Sequence, residues 1–106
     1  MILVNTDSIA GYEVTESLGM ARGNIVQAKN IGKDIIAGFR QLVGGEIKEY
    51  SEMLTESRQK ATQRMVQDAE RMGADAIINV RFVTSQVMQG ASELLAYGTA
   101  VKIEKK

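Results

Sequence analysis

Arginine, lysine, tyrosine and carboxylates are the only side chains here equipped for charged or proton-transfer chemistry at a site, because the 106 residues include no histidine and no cysteine. Soft-metal sites and imidazole acid–base catalysis are built from His nitrogen and Cys sulfur. A Ser-His-Asp or Cys-His nucleophile, a zinc site of ordinary composition and a redox dithiol are therefore excluded within one chain. No catalytic residue, no metal ligand and no cofactor is assigned. Arg22 stands beside Gly23, and an arginine at a bend with exposed backbone N–H groups can hold a carboxylate or a phosphate. The competing reading pairs Arg22 with a neighbouring glutamate at a strand end or subunit boundary. Arg81, next to Phe82 in a strongly apolar stretch, has the same two readings, of which a structural ion pair is the simpler. The ligand-binding candidates are Arg22, Gly23, Arg81 and Tyr97. An enzyme would have to assemble Arg22, Arg81, Glu93 or Tyr97 from adjacent subunits.

The carboxylates offer less. Glu49, Glu52 and Glu56 lie close together on the exposed side of an expected long helix, within reach of a hard cation. Acidic residues early in a helix are, however, stabilised by its dipole without any ligand, and an exposed stripe does not enclose an ion. Glu13 and Glu16, three apart, point to opposite faces of a regular strand and cannot act as a pair there. No glycine cluster matches a dinucleotide or P-loop fingerprint, which disfavours a nucleotide fold.

Thirteen basic residues balance thirteen acidic ones, so no basic surface argues for nucleic acid. The opening residues Met1 to Asn5 show no basic segment before their apolar run, and no apolar stretch approaches membrane-spanning length. The expectation is an unprocessed cytoplasmic protein that binds no membrane, folded as one domain over 1–106.

The elements that must position these residues follow from periodicity. Residues 1–4 suggest a short strand. Tyr12 to Ala28 suggests two short strands joined where Gly19 and Gly23 interrupt the run. Ile31, Ile35, Phe39 and Leu42 give a short helix ended by Gly44-Gly45. From Glu46, the residues Ile47, Tyr50, Leu54, Ala61, Met65, Ala69 and Met72 form one apolar stripe that stops at Gly73, which predicts one long helix. Within it, Asp68 on the apolar side and Val66 on the opposite side breach the pattern as a subunit contact would. Ala76 to Thr84 alternates like a strand, and Glu93 to Glu104 returns antiparallel to it. This last strand is apolar on both faces: Leu95, Tyr97, Thr99, Val101 and Ile103 on one, Leu94, Ala96, Gly98 and Ala100 on the other. One helical layer covers one face, so a second copy of the chain is expected on the other.

Gly11-Tyr12, Leu18-Gly19 with Arg22-Gly23, Gly44-Gly45, Tyr50, Arg58 with Ala61, Gly73-Ala74-Asp75-Ala76-Ile77, Arg81-Phe82 and Tyr97-Gly98-Thr99-Ala100-Val101 together resemble the YbjQ-like family of small bacterial and archaeal proteins labelled for heavy-metal binding. The resemblance spans nearly the whole chain. It implies an α+β, two-layer subunit similar to the dodecin type, with an antiparallel sheet, a long helix and extra short strands that link subunits into a pentameric ring. Many relatives carry a Cys just before the Tyr-Gly-Thr-Ala-Val segment, where this chain has Ala96. The leading expectation is a non-enzymatic homo-oligomeric ring that serves a structural role or binds a small ligand. The alternative is metal binding through carboxylate and backbone oxygens.

Overall fold

The computed structural model describes residues 1–28 and 48–106. In chain order it contains β1 (Ile2–Leu3), β2 (Tyr12–Ala28), helix α1 (Lys48–Arg71), β3 (Ala76–Met88) and β4 (Ala91–Lys105). The strands form one four-stranded sheet in the order β1-β3-β4-β2, with α1 packed on one face. The expected α+β layering is present, but the sheet is mixed rather than antiparallel throughout. β2 and β3 both run antiparallel to β4, whereas β1 runs parallel to β3. β2 and α1 intervene between β1 and β3, a connection long enough to permit parallel pairing.

α1 is held by a stripe at four-residue spacing. Ser57, Ala61, Met65 and Ala69 are all buried, one above another on a single face. The helix ends as Gly73 predicts. Ala74 N–H donates to Ala69 C=O at 3.1 Å and Gly73 N–H to Glu70 C=O at 3.0 Å, with Gly73 at φ 81°, the Schellman arrangement. The expected short helix over 30–44 lies outside the described residues.

Small side chains bring the two layers close. Ala21 on β2 and Ala96 and Ala100 on β4 are fully buried against Ala61, Met65 and Ala69. At Gly23 a Cβ would overlap the backbone of Ala61 and Met65. β2 is therefore one continuous strand, not two short ones. Gly23 marks a close approach of the helix backbone, and the irregularities fall nearer the start of β2, where the register with β4 slips between Val14 and Glu16 and again between Ser17 and Gly19. Gly19 takes φ 118° beside the second slip, a conformation that suits glycine.

The other face of the sheet has its own small core. Ala76, Ile78 and Val101 are buried there under Ile2, Val4, Ile9 and Ile103. The N-terminal segment is laced to β3 by three bonds of 3.0 Å: Val4 N–H to Ile77 C=O, Val80 N–H to Val4 C=O and Asn79 N–H to Thr6 C=O. This corrects the expectation that only a second copy could cover this face. Among the described residues the chain covers it at the Val101 end with its own first residues, and no element lies over the half-buried Leu95 and Tyr97.

Asp68 and Val66 also find partners inside the chain. Val66 packs, half-buried, against the core under α1. Asp68 Oδ2 accepts the backbone N–H of Arg22 at 3.0 Å, and Arg64 Nη1 donates to Asn24 C=O at 2.6 Å. Two polar side chains of α1 thus satisfy backbone groups on the outer edge of β2, which ends the sheet. The apparent breach of pattern is an edge cap.

Candidate functional site

Strand pairing fixes where the candidate residues stand. Ile77 pairs with Ala100, and both lie in the core under α1, so every second residue of β4 from Ala100 back to Leu94 faces the helix. Tyr97 faces away from it. Tyr97 is directly opposite Arg22 on β2 and Arg81 on β3, and directly opposed residues share a face. Three of the four ligand-binding candidates therefore form one row across the sheet, a half-buried tyrosine flanked by two exposed arginines.

The flanking arginines are used differently. Arg81 Nη1 donates to Asn5 C=O at 2.8 Å and to Val80 C=O at 3.0 Å. It clamps the N-terminal segment to β3 through charge-assisted bonds, where an ion pair was expected. The Arg22 guanidinium makes no ion pair with a glutamate of its own chain among the described residues. Gly23, the fourth candidate, is buried on the helix side, where no bend exposes its N–H. It does not join the row.

One step along the sheet, Asn24, Leu95 and Val83 form the next row, followed by Val26, Glu93 and Ser85. Asn24 Nδ2 donates to Glu93 Oε2 at 3.0 Å, which ties the two rows together. Met20, Val26 and Val83 are exposed on this face. Its chemistry is mixed: Met20, Tyr97, Leu95, Val83 and Val26 stand among Arg22, Arg81, Asn24, Glu93 and Ser85, a face suited to adhesion or to holding an anion, and without a nucleophile–base pair.

A groove of about 880 Å³ opens at the side of the sheet, lined by Leu3 to Thr6, Thr62 of α1, and Val80, Arg81 and Phe82 of β3. Thr6 and Thr62 each donate their hydroxyl to a backbone carbonyl, of Ser8 and Arg58 respectively. They keep only acceptor capacity toward a ligand.

Of the acidic candidates on α1, the Glu49 side chain lies outside the described residues, and Glu52 and Glu56 join no cluster of ligands. Among the described residues no three His, Cys, Asp or Glu side chains come together, and Glu56 pairs with Lys60 at 3.3 Å one helical turn away. Glu13 and Glu16 depart from expectation. They pair with Glu104 and Lys102, two positions apart on β4, because the extra residue between them returns Glu16 to the face of Glu13. Lys102 stands between this acidic pair and the end of α1, its Nζ about 4.0 Å from the position of a Cβ on Gly73, where a cation complements the helix dipole.

A family model of the YbjQ proteins, described as "Putative heavy-metal-binding", matches residues 1–104. The chain belongs to this family. Among its YbjQ relatives, a UPF0145 protein of Methanosarcina acetivorans is 66% identical over 103 residues, covering 97% of each chain. One of Thermosipho africanus is 61% identical over 105 residues, covering 99% of this chain and 97% of the relative. A crystal structure of a DUF74-family protein of unknown function from Pediococcus pentosaceus matches the YbjQ chain with a TM-score of 0.68 over 98% of both chains at 18% identity, a likeness of fold alone. The donor set does not fit the heavy metal of the family description. Thiolate and imidazole, the strong ligands of such ions, are absent from this YbjQ chain, whose only soft donors are methionine thioethers. No helix among its described residues is long and apolar enough to cross a membrane.

Proposed function

We propose that this chain is a subunit of a non-enzymatic, cytoplasmic homo-oligomeric ring, pentameric as the resemblance implies, that serves as a structural or small-ligand-binding module. The observation that carries the reading is the sheet face turned away from α1. Met20, Tyr97, Leu95, Val83 and Val26 give it apolar ground, with Arg22, Asn24, Arg81, Glu93 and Ser85 set among them, and Met20, Val26 and Val83 are exposed there. Apolar ground set with arginine and glutamate has the make-up of an interface, with aromatic and Arg residues as anchors. A second copy laid on this face would also bring a second Arg22 and Tyr97 beside the first, which makes the crevice between copies the natural place for a small anionic ligand.

Native mass spectrometry tests the reading. The expected species is five copies of the 11.6 kDa chain, with no soft metal retained. A monomer at micromolar concentration would overturn it.

A further inference from the structure

β3 carries an extra residue at Asn79. Its register with β4 slips between Ile78, opposite Thr99, and Arg81, opposite Tyr97, so that three steps along β3 match two along β4. Asn79 takes φ 53° there, in the left-handed region that asparagine tolerates better than most side chains. Side chains of a strand alternate between faces, and without the extra residue Arg81 would point toward α1. The bulge turns it to the other face, in line with Ile78. At the same place the backbone amides of Asn79 and Val80 bond the N-terminal segment, at Thr6 C=O and Val4 C=O.

Arg81 thereby stands at a border. On one side, residues 2–9 lie as a strap over Ala76, Ile78 and Val101; on the other is the row that Arg81 forms with Tyr97 and Arg22. Its Nη1 holds the strap through Asn5 C=O and bonds Val80 C=O as well. Both acceptors are neutral. An oxyanion on the row offers the opposite charge and two acceptor atoms for parallel N–H bonds, neither of which a carbonyl supplies. We propose that Arg81 is a latch between strap and row: it shuts the strap when the row is empty, and releases it when a small oxyanion sits over Tyr97 between Arg22 and Arg81. The latch rests on the reading of this face as a place for a small anion. Anion binding and strap opening are then linked, and the linkage is reciprocal, because whatever loosens the strap frees Arg81 for the anion. Opening uncovers Ala76, Ile78 and Val101 on the same face as the row.

Amide hydrogen exchange of the intact protein reads the strap through Val4, Asn79 and Val80, and amide chemical shifts read the row through Arg22 and Tyr97. With inorganic phosphate or acetate in place of chloride at equal ionic strength, the row amides are expected to shift and the three strap amides to lose protection by about tenfold, an ordinary size for coupling between two sites. The amides of Ala61 and Met65 inside α1 should keep theirs. Val4→Ser, which loosens the strap from its core without touching Arg81, should bind the same anion more tightly. Arg22→Met should leave the strap shut in chloride and weaken its response to the anion. Row amides that shift while the strap amides keep their protection would overturn the latch and leave the anion reading standing. Row amides that shift for neither anion would overturn both, and the native mass would still report on the ring.

Discussion

Replacing Gly23 with alanine should destabilise the fold by about 1–3 kcal/mol, the usual cost of overpacking a close contact. The new Cβ meets the backbone of Ala61 and Met65, which cannot turn aside as a side chain could; urea unfolding would measure the loss. Asp68→Ala removes the acceptor for Arg22 N–H and should cost about 1–2 kcal/mol, since a hydrogen bond to a charged group is among the stronger ones. The same change uncaps β2, so the variant should also aggregate faster, readable by light scattering on warming. At this scale the sequence was partly legible. Arg22, Arg81 and Tyr97 were recognisable as unusual residues, but their alignment depends on strand register, and the irregularities of β2 and β3 shift that register in ways no local pattern announces. Gly23 carried a real signal whose cause lies in α1, some forty residues downstream.

α1, β3 and β4 were the elements best foreseen, because each carries a pattern over many residues: 61, 65 and 69 for the helix, all buried, and apolar β-branched runs for the strands. β2 was misjudged at the same level. A glycine inside a strand pattern signals a break, a bulge or a close approach with equal force, and β2 contains the last two and not the first. The N-terminal cover was invisible for a different reason: Val4 and Thr6 bond to β3 across more than seventy residues, with no periodicity of their own. Two predictions belong to this scale. Gly73→Ala forces a side chain into the left-handed conformation that closes α1 and should cost about 1–2 kcal/mol, seen as a lowered urea midpoint. Arg81→Met removes the clamp on Asn5, so the amide of Val4, bonded to β3 nearby, should lose hydrogen-exchange protection while the amides inside α1 keep theirs.

The whole molecule sets two sheet surfaces against each other, one sealed by α1 and one half-sealed by the first residues of the chain. Leu95→Glu, a charge placed on the open face beside Tyr97, should lower the native mass and leave the helix content unchanged, because Leu95 makes no part of the core under α1. Titration with cadmium or zinc should give no stoichiometric site by calorimetry, in keeping with a donor set that lacks thiolate and imidazole.

Among the described residues, six of the ten buried apolar residues are alanine: Ala21, Ala61, Ala69, Ala76, Ala96 and Ala100. Alanine loses no rotamer freedom when buried, yet it removes little apolar area from water. A lone subunit therefore has a thin margin of stability, and partners that bind only its folded form add to that margin by mass action. In the proposed assembly, folding and association become one equilibrium. The melting temperature should rise with protein concentration, so that dilution loosens the chain itself as well as the contacts between chains.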